Sequence, residues 1–201
     1  MNYLISLTSI VAKPLQRAYV ALLCLISLGF APVFAADFGE AVWGMAPAEI
    51  RALESRLNLT PIGEQEYLIY RADVPGIEQS RIVYQFQDQL LVEGRFLFTT
   101  ADPLNIQLAV DQYDQILTLM NSQYGPSVTE QVLTNPSAEA QPASTDYATE
   151  LAADRLILKS SWRSPNATVL HQLAWLLTQP NHQLIYRPSA ALPAPALDDA
   201  Y

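Results

Sequence analysis

Cysteine is almost missing from this chain: 201 residues carry one, Cys24. A single thiol closes no intrachain disulfide, so packing alone must hold the protein together, even in an oxidising compartment. Histidine is nearly as scarce, with His171 and His182 the whole supply. Metal sites gather Cys, His and carboxylates at close spacing, which places these two as unrelated residues, one on a strand and one in a turn. Glycine numbers only seven. No glycine-rich loop precedes a lysine, and no serine sits in a glycine-bounded elbow, so nucleotide and hydrolase signatures are both lacking. The expectation is no catalytic residue, no metal and no cofactor. Positive charge is short as well, with 11 Lys and Arg against 20 Asp and Glu, a net charge of −9. A chain this acidic is repelled by phosphate backbones, which argues against nucleic acid as a partner.

The amino-terminal run is where the apolar residues concentrate. Lys13 and Arg17 precede an uncharged stretch from Ala18 to Ala36, and no acidic residue occurs before Asp37. Basic flank, apolar run and the small-residue pattern Val33-Phe34-Ala35 describe a secretion signal over residues 1–35, cut after Ala35. Cys24 leaves with it, and Leu22 and Leu23 before it do not suit lipidation. The alternative is an uncleaved membrane anchor, since the run is just long enough to cross a hydrocarbon core of roughly 30 Å. Cleavage leaves nine basic residues against 20 acidic ones, a net −11. The expected location is periplasmic or secreted, with no integral membrane span after cleavage.

Beyond the signal the period of the apolar residues sets the elements. Pro47 at a first helical position, Glu49 near the positive end of the helix dipole, and Ile50, Leu53 and Leu57 predict a helix from Pro47 to Asn58. Ala46 is a weak cap for it. Strands follow: Glu66 to Val74, Ser80 to Gln87 with Ile82, Tyr84 and Phe86 on one side, then Leu90 to Phe98 after a turn near Asp88. Gly94 within the last marks a bulge or a close backbone approach. Asp102 and Pro103 open a second helix with a stripe of Ile106, Val110, Tyr113, Ile116, Leu117 and Met120, ended by Gly125 and Pro126. A weaker strand pattern spans Ser127 to Leu133. Residues 135–153 are rich in Pro, Ala, Ser and Glu and read as a flexible insertion. Strands return at Asp154 to Arg163, Thr168 to Leu177 and Gln183 to Arg187, before a polar tail at 188–201.

The order predicts one α+β domain over residues 36–187, an antiparallel sheet with two helices packed on one face. It also allows two halves, each a helix followed by three strands, though no residue-level repeat supports that.

Phe38-Gly39, Trp43-Gly44-Met45 and Glu49-Ile50, then Tyr84-Gln85-Phe86 before Leu90-Leu91, and Tyr124-Gly125-Pro126 together resemble uncharacterised bacterial secreted proteins. More distantly the chain is similar to helix-on-sheet envelope modules such as the outer-membrane assembly lipoproteins and the β-lactamase inhibitor proteins. That resemblance implies a binding module. It transfers no functional residue, because a lipidation site at the mature start is lacking and Ala46-Pro47 stands where a capping serine or threonine is usual.

Arg155, Lys159 and Arg163 fall on one face of a predicted strand, a local inversion of charge in an acidic protein. Such a stripe can dock a carboxylate-bearing glycan, a lipid head group or an acidic protein surface; paired with nearby carboxylates it is an ordinary wet face. Trp43 is a further partner-binding candidate, free or covering a sheet edge. Asp111 and Asp114 lie three apart on the second helix, where solvation explains them. The reading is a non-catalytic periplasmic binding or envelope-associated module, its partner an envelope protein or an anionic ligand. Two alternatives stand beside it: a secreted inhibitor using a loop at Val74 to Gln79 or Asn135 to Ala153, and a hydrolase with a site not visible in sequence.

Overall fold

A computed structural model describes residues 37–59, 66–74, 77–134 and 142–192. In chain order the elements are α1 (Pro47–Leu53), β1 (Tyr67–Val74), β2 (Ile77–Gln87), β3 (Leu90–Phe98), α2 (Ile106–Tyr124), β4 (Thr129–Thr134), a 3-10 turn (Ser144–Asp146), α3 (Tyr147–Ala152), β5 (Leu156–Arg163), β6 (Ala167–Leu176) and β7 (Gln179–Pro188). The seven strands form one sheet in the order β1-β2-β3-β7-β6-β5-β4. Every neighbouring pair runs antiparallel. The class is therefore α+β with an antiparallel sheet. Two meanders, β1 to β3 and β5 to β7, meet through their last strands.

Alternation decides which residues are buried. Leu68 and Tyr70, Ile82 and Tyr84, Val169, Leu173, Leu184 and Tyr186 are all buried. They form two apolar clusters with helix residues, one including Ile50 of α1 and Ile116 and Met120 of α2, the other Ala109, Val110 and Tyr113 of α2 with Leu151 of α3. Apart from Val74 and Ile77, beyond the register shift after Ala72, the strand members of both clusters belong to one side of the pleat. Gly94 is required by a close approach: a Cβ there would lie 2.1 Å from the Phe38 ring. The bulge is nearby but separate, at the register shift between Gln85 and Phe86.

Several predicted boundaries move. Helix α1 stops at Leu53, because Glu54 turns inward with its side chain 1% exposed, accepting from Arg56 at 2.6 Å and from the Tyr84 hydroxyl at 3.0 Å. The chain then runs beside β1, with the Arg71 amide bonded to the Leu57 carbonyl and the Leu59 amide to that of Ile69. Ala46 caps poorly, but its own N–H is bonded by the Glu49 carboxylate at 2.7 Å. Asp102 caps a turn before α2 rather than the helix, accepting from the Leu104 amide at 3.0 Å. Gly125 ends α2 at φ 81°, where a left-handed residue favours glycine.

Two corrections are larger. Within the stretch expected to be a flexible insertion, residues 142–153 carry the 3-10 turn and α3, and Leu151 is fully buried. One leucine with Tyr147 and Ala148 beside it is enough apolar surface to dock a short helix that composition averages away. The turn expected at Gln179 to Asn181 lies earlier, at Leu177 and Thr178, and β7 begins at Gln179. Residues 1–36, 60–65, 75–76, 135–141 and 193–201, which include the predicted signal, part of the insertion and most of the tail, fall outside the described residues. Among the described residues no helix is long and apolar enough to cross a membrane.

Candidate functional site

On the other side of the pleat, the register lines up three rows of side chains across the sheet. One row reads Arg71, Arg81, Leu97, Gln183, Gln172, Lys159 and Gln131, one residue from each strand. The next reads Ile69, Val83, Arg95, Ile185, Leu170, Ser161 and Thr129. A third contains Tyr67, Gln85 and Glu93 at one end, and Arg187, Thr168 and Arg163 at the other. Six of the nine Lys and Arg after residue 35 therefore share one sheet face. Among the described residues the carboxylates on this side of the strands are Glu93 and, at the end of β1, Asp73.

Glu93 is 6% exposed, and a carboxylate so far from water must be paired. It accepts from Arg95 Nε, and from Arg187 Nε at 2.6 Å. Arg95 reaches on to Gln85 Oε1 at 2.7 Å. The stems of long side chains cover apolar surface on this face, where Val83 and Ile185 are buried although they point away from both clusters. Pairing and packing thus account for Arg95 and for part of Arg187. They do not account for the rest, because Arg71, Arg81, Lys159 and Arg163 have no ion pair among the described residues. Arg71 and Arg81 stand directly opposite each other, an arrangement that costs stability without a counter-charge. At the other end Arg163 and Arg187 flank a depression of about 190 Å³ with Thr168, Leu170 and Ile185 among its lining.

Of the residues singled out in the sequence, Lys159 and Arg163 lie on this face. Arg155 precedes β5 and is held by Glu150 of the α3 helix through two bonds of 2.7 and 2.8 Å, each partner moving the other toward its charged form. Trp43 is half-buried, its indole N–H donating to the Asn166 carbonyl at 3.1 Å and its ring stacked 6.3 Å from Phe38. It fastens the opening segment to the β5–β6 connection. Arg71, Arg81, Arg95 and Arg187 were not singled out. Their signal is that each is out of phase with the buried aromatics of its own strand; the strand order that unites them is not visible in one dimension.

Other gathered ionisable groups lie elsewhere. His171 and His182 are not unrelated: their Nε2 atoms are 2.8 Å apart, both rings are buried, and His182 is on β7 rather than in a turn. Burial holds both below the usual imidazole range, His182 down to about 3. Asp111 and Asp114 are exposed on α2; burial and Asp111 raise the Asp114 carboxyl, and Asp111 accepts from Gln107 at 2.8 Å. No group of three or more metal-ligating side chains occurs among the described residues. A second cavity, about 320 Å³, runs between α2 and the sheet and is lined by Phe96, Phe98, Met120, Tyr124 and Tyr186. Its one carboxylate, Asp37, accepts the Trp43 amide at 2.9 Å.

The class defined by this geometry is an α+β antiparallel-sheet protein with a cation-rich sheet face. No protein-family model, curated protein or solved structure matches the chain.

Proposed function

We infer that this is a non-catalytic, exported binding module of the bacterial envelope, whose open sheet face docks an anionic partner. In this reading the helices cover one face of the sheet and leave the other face for the partner. The likeness of Phe38-Gly39, Trp43-Gly44-Met45 and Tyr124-Gly125-Pro126 to bacterial secreted proteins supports export, as does the basic and then apolar leader. The observation that carries the binding role is the concentration of six cations, four of them without an ion pair among the described residues, on one face of a strongly acidic chain. Net charge repels an anion at long range, and a local patch of opposite sign attracts it within about one Debye length, ~8 Å at physiological salt.

Retention on sulfonate beads at neutral pH tests the face. The protein is expected to bind despite its net charge and to elute with salt, and Lys159→Glu with Arg163→Glu should abolish retention. Arg155→Glu alters net charge off that face and should leave retention nearly unchanged. Equal loss in both variants would mean that net charge, not the face, governs binding.

A further inference from the structure

Resting on that reading, we propose that the anionic partner is a linear acidic polysaccharide lying across the strands along the row from Arg71 to Gln131. Three features of the face select it. The first is shape. Neighbouring strands rotate by roughly 20–25°, so the five steps from β1 to β5 turn the surface normal by about 100–125°. A flat lipid surface or a rigid protein face therefore touches the cations of two or three strands together, whereas a flexible chain follows the twist and meets them all. The second is reach. Arg71 and Lys159 are five strand spacings apart, about 24 Å along the sheet, which asks for a polymer rather than a single anionic group.

The third feature is what lies between the charges. Between the Arg71–Arg81 pair and Lys159 the row presents Leu97 and two half-buried amides, Gln183 and Gln172, with Gln131 exposed beyond Lys159. None of these amides has a hydrogen-bond partner in the protein among the described residues. An amide both donates and accepts, which matches the hydroxyl groups of a sugar ring. Cations spaced by amides thus suit a polymer whose anionic groups are spaced by hydroxyls. An acidic peptide offers carboxylates but few hydroxyls, and an extended peptide would pair with a sheet edge rather than cross a face.

The protein purified after expression of the full chain is titrated with polygalacturonate fragments of graded length, with dextran sulfate, neutral dextran, poly-glutamate, single-stranded DNA and phosphatidylglycerol vesicles. Affinity for the polyuronate is expected to climb with length until a fragment spans the row, and then to level off. Arg71→Gln and Lys159→Gln should each lower affinity for the long polymer roughly tenfold while barely affecting the shortest fragment. Gln172→Ala with Gln183→Ala should weaken the polyuronate several-fold and leave poly-glutamate unmoved. Comparable binding of dextran sulfate would make the anionic group sulfate as well as carboxylate, still on a sugar chain. Tighter binding of vesicles, DNA or poly-glutamate, or affinity independent of length, overturns the polysaccharide and leaves the anionic face standing. Absence of charge-dependent binding to every probe removes both.

Discussion

His171 and His182 meet in a place where neither imidazole reaches water. His182 Nδ1 lies 2.9 Å from Gln112 Oε1, so that nitrogen carries a proton and donates. His182 Nε2 is then a lone pair, and the 2.8 Å contact makes His171 Nε2 the donor. What remains is His171 Nδ1, a bare lone pair and the one buried side-chain polar atom without a partner among the described residues. The Tyr113 ring, stacked 4.1 Å away, is the titratable neighbour, its hydroxyl pushed up to about 12 by burial and bonded to Ser160 at 2.8 Å. The folded protein therefore keeps both imidazoles neutral, whereas the unfolded chain protonates them near pH 6.5. Depressed histidines contribute stability that is complete above pH 6.5 and is lost as pH falls toward the folded values, about 3 for His182. Between pH 7 and pH 5 the loss is about 2 kcal/mol for His182, and the lowered His171 acts in the same direction. Urea unfolding at several pH values should show this slope in the wild type and lack it in His171→Phe with His182→Leu, whatever that variant's absolute stability. Parallel curves would mean that both rings titrate in the folded protein as they do in the unfolded chain. None of this was legible from sequence, because residues 11 apart on adjacent strands meet only once the β6–β7 register is known.

At the scale of elements, the β6–β7 connection shows why that register was hard to read. Leu177 and Thr178 adopt φ of 49° and 69°, the two left-handed positions of a tight hairpin, which Asn-Gly normally fills. A leucine and a β-branched threonine give no turn signal there, while Pro180 and Asn181 give a false one inside β7. The β2–β3 connection poses the same demand, with Asp88 and Gln89 at 51° and 64°, and aspartate tolerates it well enough to be recognised. Leu177 and Thr178 are thus strained, and Leu177 is 83% exposed, so its side chain offers little packing in return. Replacing the pair by Asn-Gly should stabilise the protein by about 1–2 kcal/mol, measured as a higher urea midpoint with an unchanged slope. No gain would show that the turn is not of this kind. Helix α2 and strands β2 and β3 were legible for the opposite reason: Val110, Tyr113, Ile116 and Met120, and Ile82, Tyr84 and Phe86, keep strict periods over several turns of chain. Helix α3 was not, since six residues around one buried leucine are too few to show a period. In the candidate site, Lys159 and Arg163 were readable as a pair on one strand, but Arg71, Arg81, Arg95 and Arg187 join them only through long-range strand order.

For the molecule as a whole, the export we propose and the chain's chemistry make one linked demand. A protein that leaves the cytoplasm meets oxidants, and an unpaired thiol there invites mixed disulfides. Cys24 lies in the apolar leader, and no residue from Ala36 onward is cysteine. Removal of the leader would therefore deliver a chain with no thiol to oxidise and no disulfide to reduce, held by the two apolar clusters and by pairs such as that of the buried Glu93 with Arg95 and Arg187. Two measurements on the exported protein follow. Thiol titration under denaturing conditions should return none per chain, against one for the precursor, and the mass should correspond to a start at Ala36. Urea midpoints with and without dithiothreitol should coincide, because packing alone resists unfolding. One thiol per exported chain, together with a mass beginning at Met1, would leave the leader in place as an anchor. The basic sheet face would then work at a membrane surface, where its twist lets only part of the Arg71-to-Gln131 row reach any one flat partner.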